Sequence, residues 1–263
     1  MNDYHVHCSL SPDCNADIDK MIQEGIKLGL KEIAFTDHFN PAYPNKRFLT
    51  PLPSEEGFKL LCDCQEKYKG QIRIVKGIEN GVLHNTIEDN KMAAAMYDYD
   101  FVMGSFHSMA GIELNDKKFF EGRSVEDTYV FFYNYTLDCF RQYKDYDVIG
   151  HINVLDRYAP YVADEALYMD IIREIFKMII SEGKGIEINT SSVRYGMEGR
   201  SLPAMSMLKL YKELGGEIIT IGSDAHTVGS LADGLAWGYE LLRAAGFKYT
   251  ATYKNRKVCF EKV

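Results

Sequence analysis

Short apolar runs of strand length alternate along this chain with segments in which apolar residues recur at helical spacing. The first run is DYHVH at 3–7. The segment after it brings Ile18, Met21 and Ile22 to one helical face behind Asp17, a good N-cap residue. Further strands are predicted at 32–38, 72–79, 100–108, 147–152, 185–190 and 217–226. Further helices are predicted at 54–69, 86–98, 124–143, 164–182, 203–214 and 230–245.

This order predicts an α/β protein with a parallel sheet, because each strand is followed by a helix that can return the chain. A doubly wound open sheet and a closed barrel both fit the alternation. No linker or low-complexity run divides the chain, so one domain over residues 1–263 is expected. A (β/α) barrel typically takes about 250 residues. The tail predicts a closing hairpin around Lys254 and Asn255.

Composition narrows the class of protein further. Hydrophobic residues make up 46% of the chain, which is enough for a packed core. The formal net charge of -8 disfavours a broad nucleic-acid interface, since that requires clustered Lys and Arg. No apolar run reaches the about 18 residues that suggest a membrane span, and no signal segment is evident. Six scattered cysteines do not form a dense disulfide framework, so a cytoplasmic protein with free thiols is expected.

The histidines of the chain are concentrated at one kind of position. Six of the seven stand at the carboxyl end of a predicted strand, and these are His5, His7, His38, His107, His151 and His226. Because side chains alternate faces along a strand, His5 and His7 project to the same side, about 6–7 Å apart. Two imidazoles at that separation can bind one cation. Asp224 and His226 are predicted to repeat this relation on the last strand.

Acidic residues accompany these histidines at the strand ends, namely Asp13, Asp37, Glu79 and Asp224. Histidine together with Asp and Glu suits Zn, Fe or Mn better than Ca or Mg. The carboxyl ends of barrel strands converge on one mouth, where such folds keep their active sites. We therefore expect a closed barrel with a transition-metal centre at that mouth.

Taken together, these motifs resemble those of the polymerase-and-histidinol-phosphatase (PHP) superfamily of metal-dependent phosphoesterases, over nearly the whole chain. The matching motifs are His5-x-His7, Ser11-Pro12-Asp13, Thr36-Asp37-His38, Gly77-Ile78-Glu79, Ser105-Phe106-His107, Gly150-His151 and Ser223-Asp224-Ala225-His226. Within the superfamily the chain is most similar to the PHP-type histidinol-phosphatases, through the stretches GHINVLDRYAP and EINTSSVRYG. The resemblance implies a distorted (β/α)7 barrel.

The resemblance also implies a site for three divalent ions, with Zn, Fe or Mn as the candidates. Its three ligand sets would be His5, His7, Glu79 and Asp224; then Glu79, His107 and His151; then Asp13, His38 and His226. Catalytic roles are implied for Glu79, Asp224 and His226. Asp13 replaces a histidine that some members of the superfamily have, which changes the charge of that ligand.

Substrate binding is predicted at Arg157, Arg194 and Ser191, because an arginine can donate two hydrogen bonds to a phosphate. Ser192 stands where a glycine is usual in the matching stretch, which weakens the assignment of a substrate. Asp37 is predicted to support a ligand rather than to bind a metal. Cys8 and Cys14 are expected to be bystanders. His84 falls in a loop where the sequence suggests no role.

The implied reaction is hydrolysis of L-histidinol phosphate to L-histidinol and phosphate, by a hydroxide that bridges metal ions. Such monoesters need accelerations of up to about 10²¹-fold, since a phosphate dianion repels hydroxide. Three divalent ions bring about +6, and Asp13, Glu79, Asp224 and the hydroxide leave about +2. That charge matches a small phosphorylated substrate, even in an acidic chain.

Three alternatives stay open at this point. A PHP phosphoesterase acting on nucleotides or oligonucleotide ends would need a basic or aromatic channel for a strand, which the negative chain disfavours. A protein-tyrosine phosphatase of this superfamily would open on a different motif. A metal-holding relic without activity would be expected to have lost ligands. The oligomeric state and the metals bound in the cell are left open.

Overall fold

Seven parallel strands form the centre of the molecule. The computed structural model describes residues 1–197, 200 and 202–263. The seven strands are β1 (Asn2–Val6), β2 (Glu32–Phe35), β4 (Arg73–Gly81), β5 (Phe101–Ser105), β8 (Val148–Ile149), β9 (Gly185–Asn189) and β10 (Ile219–Gly222), hydrogen-bonded in that order. A two-residue strand, β3 (His38–Phe39), pairs with the far end of β4.

Helices on the outside return the chain from one strand to the next. They are α1 (Ile18–Lys27), α2 (Glu55–Lys67), α3 (Ile87–Met96), α4 (Val125–Gln142), α5 (Met169–Ser181), α6 (Met205–Glu213) and α7 (Leu235–Ala244). The start of α1 shows how sequence sets these bounds. The Asp17 side chain accepts a hydrogen bond from the backbone N–H of Lys20, while Ile18, Met21 and Ile22 are buried. No helix among the described residues combines the length and apolar composition that a membrane crossing requires.

The sheet curls until its first and last strands meet. The backbone N–H of His7 donates to the carbonyl of Ala225 at 2.9 Å, and that of Asp224 donates to the carbonyl of His5 at 2.8 Å. An isolated parallel bridge joins Val6 to Ala225. The prediction of a (β/α)7 barrel is therefore confirmed, and the open-sheet alternative is wrong.

Several strands are shorter than their apolar runs predict. These short strands make the barrel irregular, as the term distorted barrel implies. The run at 147–152 yields only Val148–Ile149, and the run at 217–226 yields only Ile219–Gly222. Past those strands, His151 has φ 24° and Asp224 has φ 56°. These left-handed values end the extended backbone and turn the two side chains. Asp224 and His226 therefore do not share a strand face, contrary to prediction.

The amino end of the barrel is closed by the C-terminal hairpin. Strands β11 (Tyr249–Lys254) and β12 (Lys257–Lys262) pair across a turn at Asn255 and Arg256, which confirms the predicted hairpin. Ala251 and Tyr253 pack into an apolar cluster inside the barrel, whose other members are Tyr4, Ala34, Val75, Phe101, Met103 and Val148. A second, smaller hairpin that the sequence did not predict joins β6 (Ser108–Met109) to β7 (Ile112–Glu113).

Candidate metal centre

The predicted ligands lie together at the carboxyl end of the barrel. His5 and His7 come from the end of β1, and their Nε2 atoms lie 3.4 and 3.7 Å from Oε2 of Glu79. Both Nε2 atoms are also 3.6 Å from Oδ1 of Asp224, which comes from the loop after β10. This first group thus gathers ligand atoms from the two strands at the closure of the barrel and from β4.

A second group forms on the other oxygen of the same glutamate. The Nε2 atoms of His107 and His151 lie 3.2 and 3.1 Å from Oε1 of Glu79. These histidines follow β5 and β8, the next strands round the barrel from β4. Glu79 is fully buried and presents one oxygen to each group.

A third group lies nearer to solvent. The Nε2 atoms of His38 and His226 lie 3.2 and 3.4 Å from Oδ2 of Asp13. The other ring nitrogen of His38, Nδ1, lies 2.7 Å from Oε2 of Glu79. All nine predicted ligands are therefore in one cluster, and Glu79 is at its centre.

Buried atoms of this cluster fit the prediction of bound cations. Nε2 of His5 and Nε2 of His7 are buried from solvent and have no hydrogen-bond partner among the described residues. Leaving such atoms buried and unpaired is costly. Four sets of three residues place their ligand atoms within 4.8 Å of one another, including His7, His38 and His226. Imidazole and carboxylate together form the donor set of a transition-metal site.

The two buried carboxylates and His7 are in the protonation states that bind metals, whereas the pKa of His5 is raised above its ordinary value because nearby carboxylates, chiefly Glu187, outweigh the effect of burial. Burial alone would raise the pKa of Glu79, but the neighbouring His5, His107 and His38 hold it well below its ordinary value. Asp224 is likewise buried, and its pKa is held well below its ordinary value chiefly by His5. Burial and the adjacent imidazoles of His226 and His38 lower the pKa of His7. Ionised carboxylates and neutral imidazole are the forms that bind metals.

Hydrogen bonds behind the ligands fix their orientation. Nδ1 of His7 lies 3.1 Å from the Ser11 hydroxyl, which donates to Oδ1 of Asp37 at 2.9 Å. Asp37 also accepts from the backbone N–H and the thiol of Cys8, which turns that thiol away from the cluster. Nδ1 of His107 lies 3.2 Å from Oδ1 of Asn40. Asp37 thus has the contacts expected of a supporting residue.

Glu187 is a residue of the site that the sequence analysis missed. It is fully buried on β9, and its Oε1 lies 2.7 Å from Nδ1 of His5. Its Oε2 accepts from the backbone N–H of His151 at 2.9 Å. The sequence could have indicated this role, because an acidic residue in the middle of the apolar run GIEIN is expected to face the barrel interior.

The predicted substrate residues are placed differently from one another. Arg157 is buried beside the cluster and lines its cavity, with Nη2 donating to the Ser191 hydroxyl at 2.6 Å and lying 3.5 Å from Oδ2 of Asp224. Its guanidinium carbon lies 4.1 Å from the centroid of the Tyr195 ring. The Arg194 guanidinium instead donates to the carbonyls of Ser223 and Asp224, at 2.7 and 2.9 Å, behind the ligands.

Two remaining positions lie away from the ligand atoms. Ser192 is buried in the turn of 3₁₀ helix Thr190–Arg194, where the matching stretch usually has glycine. His84 begins a 3₁₀ helix before α3, and its ring lies 4.2 Å from that of Tyr135. His84 therefore lies on the outer surface, away from the cluster of predicted ligands.

Comparison with known proteins agrees with this geometry. The model of the PHP domain family matches residues 3–191, and the chain belongs to this family of phosphoesterases. The resemblance stated from the motifs is confirmed.

Within this family, the similar proteins of known name include histidinol-phosphatases. A probable histidinol-phosphatase of Clostridium acetobutylicum is 32% identical over 85% of this chain and 86% of its own length. A histidinol-phosphatase of Lactococcus lactis is 30% identical over 97% of this chain and 95% of its own. A crystal structure of histidinol phosphate phosphatase from Lactococcus lactis, in complex with zinc, L-histidinol and phosphate, superposes with a TM-score of 0.87 at 28% identity. It covers 98% of both chains.

Proposed function

We propose that this chain is a histidinol-phosphatase, which hydrolyses L-histidinol phosphate to L-histidinol and phosphate at a site for three divalent metal ions. The observation that carries the proposal is Glu79, whose two buried oxygens face two separate groups of imidazoles. A structure of the same fold at 28% identity was solved with zinc, L-histidinol and phosphate.

The three ligand sets follow the three groups of contacts. His5, His7, Glu79 and Asp224 would hold one ion, Glu79 with His107 and His151 a second, and Asp13 with His38 and His226 a third. When bound, divalent ions lower the pKa of coordinated water and neutralise charge on phosphoryl oxygens. Zn, Fe and Mn remain the candidate metals, since the donor set suits all three.

The chain's own residues have separate roles around this centre. Glu79 and Asp224 are ionised at neutral pH and hold two groups of imidazoles in place. Arg157 is aimed into the cavity and would donate to a phosphate oxygen, where the exchange of its Ser191 partner for phosphate strengthens the bond. The ring of Tyr195 fixes the guanidinium plane. Arg194 would act at one remove, by holding the backbone of Asp224.

The shape of the cavity supports a small substrate. Its volume is about 180 Å³, and its wall combines ligand residues with Tyr43, Phe48, Tyr158 and Tyr195. Aromatic rings in the same wall as the ligand residues suit the imidazole of histidinol, which stacks on such faces. Of the cavity-lining residues, Arg157 is the cation that faces the cluster, which favours one phosphate group over a polymer backbone.

The test is a panel of phosphomonoesters assayed after reconstitution with Zn, Mn or Fe. Histidinol phosphate should give the highest kcat/KM, above nucleoside monophosphates and phosphotyrosine. A higher kcat/KM for either of those substrates would contradict the proposal.

A matched pair of histidine variants ties the activity to the cluster. His151→Ala should abolish most turnover and lower the number of bound ions measured by elemental analysis. His84→Ala, which removes a histidine on the outer surface, should change neither quantity. Equal activity in the two variants would contradict the assignment of the second ligand set.

A further inference from the structure

We propose that Glu187 is a positioning residue that joins two of the three ligand sets, and that it reaches the first of them through the space left by Gly222. This inference rests on the proposed function, because it concerns metal ions at that site. Glu187 itself would not be a ligand. Its carboxylate contacts a ring nitrogen of His5 that faces away from the cluster and a backbone N–H of His151.

The position of Glu187 in the sheet explains its reach. Glu187 lies on β9 and pairs in register with Thr220 of β10, while His5 lies on β1 at the other side of β10. The carboxylate therefore crosses over β10 to reach His5. At the crossing point stands Gly222, where a Cβ would lie 2.6 Å from Oε1 of Glu187 and 2.3 Å from Cβ of His5. Any side chain at 222 would occupy the path of the contact.

A count of hydrogen bonds explains why a carboxylate is required. Oε1 faces Nδ1 of His5 at 2.7 Å, and Oε2 accepts from the N–H of His151 at 2.9 Å and from Nδ2 of Asn189 at 3.2 Å. Three donors thus meet two acceptor oxygens. A glutamine has one acceptor oxygen, and its amide would face at least one of these donors with another donor. The neutral isostere is therefore predicted to fail here, although it has the same shape.

The two contacts act on different ligand sets. A hydrogen bond from Nδ1–H of His5 to Glu187 fixes the tautomer in which Nε2 has a free lone pair towards Glu79 and Asp224. The bond to the N–H of His151 holds the backbone at φ 24°, which directs that imidazole to the other oxygen of Glu79. Among the described residues, the third set, Asp13 with His38 and His226, makes no hydrogen bond or ion pair with Glu187.

The experiment measures zinc affinity and stoichiometry of Glu187→Gln in the full chain, by competition with a chelator and by elemental analysis. Loss of such a supporting partner typically lowers metal affinity by about 10- to 100-fold. We expect that loss for two of the three ions, while the third stays bound as in the wild type. Thr220→Val is the matched control, because Thr220 is buried beside Glu187 in the same register, and it should keep all three ions.

Folding of the variant is checked by circular dichroism. If Glu187→Gln does not fold, Glu187→Asp replaces it, since the shorter carboxylate keeps both oxygens but cannot span His5 and His151 at once. The same selective loss of two ions is then expected. Wild-type zinc affinity at all sites in the folded variant, or equal loss at all three, would overturn the inference.

The outcome is separable from that of the proposed function. A wild type that binds three zinc ions but does not act on histidinol phosphate would count against the function and leave the zinc comparison intact. A wild type active on histidinol phosphate, beside a Glu187→Gln variant with unchanged zinc binding, would overturn the role of Glu187 alone.

Discussion

The two ends of the barrel are built from opposite materials. At the carboxyl end, six imidazoles crowd together with the carboxylates of Asp13, Glu79, Asp224 and Glu187, and several buried nitrogen and oxygen atoms lack partners among the described residues. At the amino end, the same strands contribute apolar side chains such as Phe101 and Val148, which pack against Tyr253 of the hairpin. The same barrel therefore has one end with buried polar and charged side chains and one end with packed apolar side chains.

This difference shows how the fold separates chemistry from stability. Residues at the carboxyl end are held for what they bind, and their burial without cations is unfavourable. Residues at the amino end contribute apolar burial, which stabilises the fold. In (β/α) barrels the active site lies at the carboxyl end of the strands. Substitutions at the two ends should therefore change different measured quantities.

The largest effect is expected for Glu79→Ala at the carboxyl end. We expect kcat for histidinol phosphate to fall by at least roughly 10³-fold, because one residue faces two groups of ligands and positions charge for the reaction. The free energy of unfolding of the metal-free protein should change much less, because the substitution removes both the cost of burying the carboxylate and its attraction to the surrounding imidazoles. Steady-state kinetics and urea unfolding measure the two quantities. Near-normal turnover in metal-replete buffer would remove Glu79 from the centre of the site.

Tyr253→Ala at the amino end should have the reverse signature. Truncation of a large buried ring leaves a cavity, so the free energy of unfolding should fall by about 3 kcal/mol. The kcat of the folded enzyme should stay within about 2-fold of wild type, because the hairpin is remote from the ligands. Phe260→Ala is the control, since that ring on the same hairpin is half exposed. A large fall in kcat at unchanged stability would mean that the two ends are coupled.

A smaller effect is expected for Arg157→Met beside the ligands. Loss of a charged hydrogen bond of about 1.5–3 kcal/mol should raise KM for histidinol phosphate by about 10- to 100-fold, with a lesser effect on kcat. Arg141→Met on α4 is the comparison, since that arginine is exposed and pairs with Asp138. If both variants kept the wild-type KM, Arg157 would have no part in phosphate binding.

The smallest effect concerns a charge at the amino end. Burial raises the pKa of Asp147 above its ordinary value of 3.8, and Arg256 of the hairpin turn offsets part of this. The folded state thus holds the proton more tightly than the unfolded chain, so this contribution to stability is present at low pH and is lost as the pH rises through the raised pKa.

Urea unfolding across this pH range provides the measurement. As the pH rises from 3.8, wild type should lose stability relative to Asp147→Asn. Arg256→Met, which removes the compensating charge, should move that loss to higher pH. A difference between wild type and Asp147→Asn that is constant with pH would contradict the role of burial.

Much of the fold was predictable because the signals are local. Strand-length apolar runs and the alternation with helices predict the parallel barrel, and histidines at the strand ends predict the cluster. The shortened strands were not predictable, because left-handed backbone at His151 and Asp224 is set by packing and hydrogen bonds across the closure. The alternation of side chains along a strand was enough to predict that His5 and His7 lie close together, and the centroids of their rings are 5.1 Å apart.

The residues behind the ligands were harder to predict, since their roles depend on distant strands. Glu187 acts across β10 and only where Gly222 leaves room, a relation between residues 35 positions apart. Arg194 and Arg157 look alike in sequence, yet one donates to backbone carbonyls and the other lines the cavity. The estimated charge of about +2 also left out Glu187, whose carboxylate brings it closer to about +1.

The closure between β1 and β10 has a mechanical consequence. The two strands are joined by few backbone bonds, with a single bridge between Val6 and Ala225. His5 and His7 lie on the β1 side of this closure, and Asp224 lies on the β10 side. An ion bound by these three residues would link the two strands, so that metal binding would also stabilise the closed barrel. Occupancy of the centre and closure of the barrel would then rise and fall together, and loss of metal would loosen the contact between β1 and β10.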